Sequence, residues 1–148
     1  MKHLASISLV SLLLVSSLAA AEPKSSRIVP EDWVPALAPS IKSALEQLKE
    51  ADSQAQMNSL SREVADMTDA QLFVAYIRLY EKLSAKERAK LVEEQAQWLK
   101  KRPKAAEAAV EAKGGSLAPL EANNAELTYT ERRLVELRAR LKAAGKSE

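Results

Sequence analysis

The stretch from Leu83 to Ser116, LSAKERAKLVEEQAQWLKKRPKAAEAAVEAKGGS, constrains this chain more than any other. It opens with Ser84 and Glu87, a spacing at which the two side chains satisfy each other's free backbone amides at a helix start. Leu91, Gln95, Trp98, Leu99 and Arg102 then recur at three- and four-residue steps and so share one helical face. Gly114-Gly115 supplies the positive-φ freedom that helix ends commonly use. The pattern predicts one long helix with its Leu-Trp stripe as the main wall of the core. Pro103 lacks an amide hydrogen and its ring crowds the previous turn, which predicts a kink or break near Lys101–Arg102.

The rest of the chain after Pro39 also reads as helix. Ser40 is placed to cap a segment carrying Ile41, Ala44, Leu45 and Leu48. Ser53 with Gln56 precedes Met57, Leu60, Val64 and Met67, and Thr68 with Gln71 precedes Leu72, Phe73, Tyr76, Ile77, Tyr80 and Leu83. Segments 40–52 and 53–67 are two helices or one with a weak joint, because neither glycine nor proline separates them. A last helix is expected from Ser116 or Ala118, with Pro119 tolerated in its first turn. Its stripe of Leu127, Thr130, Leu134, Leu137 and Leu141 suits the domain's own core better than a leucine zipper. Asn124, Glu131 and Arg138 would occupy alternate seam positions of a zipper, which must be apolar. No strand alternation or hairpin signal appears. The expected fold is all-α, a small antiparallel bundle of about four helices with short connections.

The first 21 residues stand apart. Lys2, the apolar run Leu4 to Leu18 and Ala19-Ala20-Ala21 describe a secretory signal peptide cleaved before Glu22, the alternative being an uncleaved membrane anchor, since the run approaches a spanning length. No cysteine is present for lipid attachment, so the expected location is the periplasm, as a secreted protein and not a lipoprotein. Removing 21 residues from 148 leaves 127, the size of one domain. Residues 22–39 hold Pro23, Pro30, Pro35 and Pro39 and read as a linker. The helical domain is expected over 40–142, with 143–148 fraying. Trp33 within the linker has two readings, a pin onto the bundle or an anchor for a partner.

Losing Lys2 with the leader lowers 22 basic residues to 21 against 20 acidic ones, a net charge of +1. Such a balance gives no field to steer nucleic acid. The single histidine, His3, lies in the leader, and there is no cysteine. Ser-His and Cys-His nucleophiles and ordinary zinc sites are therefore unavailable. No catalytic, cofactor-binding or metal-binding residue can be named, and a non-enzymatic binding protein is expected. The neighbouring acids Glu93-Glu94 and Glu31-Asp32 point to different helix faces and read as solvated charge, as does the run Lys100-Lys101-Arg102 with Lys104.

The order of several blocks resembles the lysozyme inhibitor LprI family of small exported helical domains. The resemblance covers about Gln54 to Leu141. It is carried by Gln54-Ala55-x-Met57-Asn58, by Asp69, Leu72 and Tyr76 in a D-x-x-L-x-x-x-Y pattern, and by Gln95-x-x-Trp98-x-x-x-Arg102. Gly114-Gly115-Ser116 and Thr130-x-x-Arg133-x-x-x-Leu137 complete it. This chain departs from the family pattern by placing Leu60, Ala106 and Ala125 where the family has cysteines. The resemblance implies a helix-to-helix disulfide at the Ala106 and Ala125 positions. Such a bridge contributes typically about 2–4 kcal/mol, which this chain must find elsewhere. Lys101 and Pro103 replace an aromatic and an acid, and Phe73 replaces an asparagine. The resemblance implies inhibition of lysozyme, so the expected partner is lysozyme or another cell-wall protein, and the stripe of the last helix, packed on its own core, makes a monomer the expectation. The residue content, the charge balance and the cleaved leader give the expectations of no cofactor, no nucleic acid and no membrane embedding after cleavage. A structural or adaptor domain for another envelope partner is the alternative.

Candidate partner-binding residues are Trp98, Arg102, Gly114, Gly115, Ser116 and Arg133. Trp98 is either core or contact surface. Arg102 is expected to pair with a carboxylate such as Asp69 or Glu107, and Arg133 to brace the last helix against the long one. Thr130 is expected to bond back to a helical carbonyl. The Gly114–Pro119 loop is either a plain helix–helix turn or a plug for an enzyme cleft.

Overall fold

The computed structural model describes residues 27–29, 34, 36–111 and 115–145. They form four helices and no strand: α1 (Leu37–Lys49), α2 (Gln54–Lys82), α3 (Ala85–Ala108) and α4 (Ala118–Ala144). The expected all-α bundle is what the chain builds. The leader at 1–21, Glu31-Asp32, Trp33, Gly114 and the tail 146–148 lie outside the described residues.

The centre of the bundle is α2, which buries Leu60, Ser61, Val64, Ala65, Thr68, Leu72, Ala75 and Leu79. Its most extensive neighbour is α4, followed by α1 on α2 and α3 on α4. Cross-helix bonds give the directions. Asn123 donates to Ser61, Thr130 to Asp69 and Arg138 to Gln71, so α2 and α4 run the same way. Arg102 reaches Glu126 and Arg133 reaches Gln95, so α3 runs against α4. Leu72, Ala75, Leu79, Leu91, Leu134 and Leu137 meet in one cluster, with Trp98 and Leu141 packed on its edge. With no disulfide available, this burial must hold the fold, at about 1.5–3 kcal/mol for each fully buried leucine.

Several boundaries differ from the sequence reading. The third capping pair, Thr68 with Gln71, starts nothing, because Thr68 Oγ1 donates to the Val64 carbonyl at 2.8 Å inside an unbroken helix. The joint before Ser53 is a true break. Ser53 accepts from the Gln56 amide, and Glu50–Ser53 separate α1 from α2. Helix α1 begins at Leu37 rather than Ser40, which puts Pro39 in a first turn where amide hydrogens have no helical partner anyway.

The long helix α3 also departs from expectation. It passes through Pro103 without interruption and ends at Ala108, ahead of Gly114. The carbonyl that Pro103 leaves unpaired belongs to Leu99, on an exposed part of the helix where water can take it. Past Ala108 the chain is turned toward α4, where the Glu111 amide donates to the Glu121 carboxylate at 2.8 Å. Nor is α3 the main wall of the core. Only Leu91 and Ala106 are fully buried on it, and Leu99 is 54% exposed.

Ahead of α1, the Ile28 amide donates to the Glu81 carboxylate, and Val34, Ala36 and Leu37 share a cleft with Val74, Ala75 and Leu141. This part of the N-terminal segment lies along α2 and α4.

The Ser84–Glu87 capping box is present as read. The Ser84 hydroxyl and then its amide donate to Glu87 Oε2, at 2.6 and 3.0 Å, and hold the carboxyl below the usual glutamate range. A depressed pKa stabilises the fold above the unfolded value and loses that stabilisation as pH falls. The start of α3 should therefore loosen as pH falls below the ordinary glutamate range. The hydrogen-exchange protection factor at the first turn of α3 should fall on acidification in the wild type, and show a smaller change in Glu87→Gln.

Candidate functional site

Because α2 and α3 both lean on α4, a groove of about 450 Å³ stays open between them. Leu72, Phe73 and Tyr76 of α2 form one wall, and Val92, Ala96, Trp98 and Leu99 of α3 form the other. Phe73, Leu99 and Val92 are 60%, 54% and 48% exposed. Three large apolar side chains in one open groove is unusual for a surface with nothing to bind. The local reason is a double stripe on α3. Leu91 and Trp98 are seven apart and face the core, while Val92 and Leu99, one residue on, face the groove. Burial pushes the Tyr76 hydroxyl above its ordinary pKa, so it stays a neutral donor in this groove at physiological pH.

One end of the groove is an ionic node joining three helices. Arg102 Nη2 lies 2.7 Å from Asp69 Oδ2 on α2 and 3.1 Å from Glu126 Oε2 on α4. Thr130 Oγ1 donates to the other Asp69 oxygen at 3.1 Å, in place of the helical carbonyl expected for it. The Arg102 guanidinium sits 5.6 Å from the centroid of the Trp98 ring, which stacks on Tyr129. Trp98 is thus held by a cation and an aromatic neighbour while still lining the groove. Asp69→Ala should leave Arg102 with one carboxylate and Thr130 with none. A loss of about 2 kcal/mol by urea denaturation is expected, below the figure for a fully buried pair because Asp69 is partly solvated.

Arg133 is 7% exposed and braces α4 against α3, as its spacing suggested. Its Nε donates to Gln95 Oε1 at 3.1 Å and its Nη1 to both Glu136 oxygens at 2.7 and 2.8 Å. Glu94 is not the solvated charge expected of it, since it accepts from Arg140 Nη1 at 2.6 Å. Lys100, Lys101 and Lys104 are exposed as expected.

Gly115 and Ser116 lie elsewhere. Both are exposed in the connection before α4, where the Ser116 carbonyl accepts from Asn58 at 3.0 Å. Asn58 is eleven residues before Asp69 on α2, about 16 Å along the helix. The structure therefore brings Trp98 and Arg102 together at the groove, sets Arg133 beneath α3, and keeps Gly115 and Ser116 apart from them. Among the described residues no acidic or histidine cluster could hold a metal, and no helix is long and apolar enough to cross a membrane.

A family model, lysozyme inhibitor LprI, matches residues 45–137. The chain belongs to the LprI family. No curated protein and no solved structure gives a significant match. The matched region starts inside α1 and contains all of α2 and α3, so the whole groove falls within it. Two of the blocks that carry the resemblance form its opposite walls. Asp69, Leu72 and Tyr76 face Gln95, Trp98 and Arg102 across it, and all six line it. Phe73, which stands where the LprI pattern has asparagine, is the most exposed apolar residue of this groove.

The exposed roles of Phe73 and Val92 were not evident from sequence, and Leu99 read as core. The signal that could have separated them is the one-residue offset between the Leu91–Trp98 and Val92–Leu99 pairs. Glu126 and Tyr129 were missed because nothing in their own helix marks them. Their importance comes from what α3 presents to them.

Proposed function

We propose that this protein is an exported, non-enzymatic inhibitor that blocks lysozyme by laying the α2–α3 face against the enzyme. The observation that carries the reading is the groove itself, where both LprI sequence blocks surround an exposed Phe73, Val92 and Leu99. Apolar and aromatic side chains around a partly buried tryptophan and arginine are the usual composition of a protein–protein hot spot. The Asp69–Arg102–Glu126 node fixes the separation of the two walls, so the face is preorganised and little ordering is needed on binding. Inhibition by contact needs no nucleophile, metal or cofactor from the protein. The Gly115–Ser116 connection lies to one side of this face, tied to Asn58. The test is lysis of cell-wall substrate by lysozyme at increasing concentrations of the protein.

A helical adaptor for another envelope protein is the second reading. The feature that favours it is Phe73, an apolar departure on the face where contact would occur. A pull-down from envelope extract that recovers one defined partner other than lysozyme, and loses it with Phe73→Asn, would support it.

A further inference from the structure

On the other side of Trp98, between α3 and α4, lies a second groove of about 460 Å³ that adds charged and amide groups to an aromatic pair. Trp98 and Tyr129 line it and stack with ring centroids 5.6 Å apart and 21° between their planes. Glu93 and Gln97 of α3 and Glu136 of α4 supply carboxylates and an amide. These groups are held in place. Gln97 donates to Glu93 at 2.8 Å, and Glu136 accepts both its short bonds from Arg133 while its side chain stays 50% exposed. Each carboxylate has about four lone-pair sites, so acceptor capacity remains for hydroxyl donors. Lys101 is exposed at the end level with Tyr129 in the antiparallel register, away from the acidic end.

This combination matches a sugar. The C–H face of a pyranose packs on aromatic carbon, and its hydroxyls donate to carboxylates while accepting from amide and ammonium groups. The stretch of α3 from Glu93 to Lys101 is about 12 Å long at the helical rise, room for linked rings rather than one. The volume is also in the range of small-molecule sites, about 300–1,000 Å³. We propose that this groove binds a short oligosaccharide carrying a carboxylate. Its hydroxyls face Glu93 and Glu136, a ring lies against the Trp98–Tyr129 pair, and its carboxylate meets Lys101. Trp98 is the one lining residue shared with the apolar α2–α3 face, and oligosaccharide binding is measured without lysozyme.

The test uses the full chain and two probes, the N-acetylmuramic acid–N-acetylglucosamine disaccharide and neutral chitobiose. Binding is followed by titration calorimetry. Saturable binding of the acidic disaccharide in the millimolar range is expected, several-fold tighter than chitobiose. Lys101→Ala should weaken the acidic probe several-fold, to the level of chitobiose, and leave chitobiose unchanged. Gln97→Ala, at an exposed position that does not threaten the fold, should weaken both. Three results would each overturn the proposal: no saturable binding of either probe, equal binding of both by the wild type, or the same effect from Lys100→Ala as from Lys101→Ala.

Discussion

Leu137→Ala is expected to remove about 3–5 kcal/mol of stability, the upper range for a leucine cut back in a closed core. Leu137 has no exposed surface, and it meets Leu79 of α2 and Leu91 of α3 in the one cluster where three helices converge. A cavity there is lined by helices fixed from outside by the Arg102–Asp69 and Arg140–Glu94 ion pairs, so collapse around it is restricted. Domains of this size have about 5–15 kcal/mol in total, and no disulfide limits the unfolded state here. The midpoint of urea unfolding should fall accordingly. Val135→Ala, two residues away and 67% exposed, should change stability by less than about 0.5 kcal/mol. Similar losses from the two variants would contradict the assignment of the core.

The second large effect is functional. Phe73→Glu combined with Leu99→Glu should reduce lysozyme inhibition by at least about 30-fold, the equivalent of one hot-spot residue at about 2 kcal/mol. Both side chains are more than half exposed, so the charges are solvated and the helices keep their packing. The helical circular dichroism and urea midpoint should be unchanged. Arg132→Ala, exposed on α4, is the control and should inhibit like the wild type. Retained inhibition by the double glutamate variant would remove the α2–α3 face from the mechanism.

What was legible in the sequence was local. The Ser53 and Ser84 caps, the Leu127–Leu141 stripe and the Arg102–Asp69 pair all follow from spacing along one helix or from the residue types a buried cation requires. What was not legible depended on where helices sit relative to each other. Thr68 has the form of a helix start, and only the continuous burial of Val64, Leu72 and Leu79 against α4 keeps α2 going through it. Leu99 has the period of a core residue, yet α2 does not close against α3, so it stays in the groove. Glu94 read as surface charge because its partner Arg140 is forty-six residues away on another helix. Of the candidate contact residues, Trp98 and Arg102 meet at one site. Arg133 serves the scaffold, and the Gly115–Ser116 turn is tied to Asn58 at a distance from both.

The most direct measurement is the rate of cell-wall lysis by lysozyme across a concentration series of this protein, with helical circular dichroism recorded on the same sample. Dose-dependent inhibition that saturates is expected, and the double glutamate variant should lack it. Full lysis at excess of a folded helical protein, against each class of lysozyme, would contradict it.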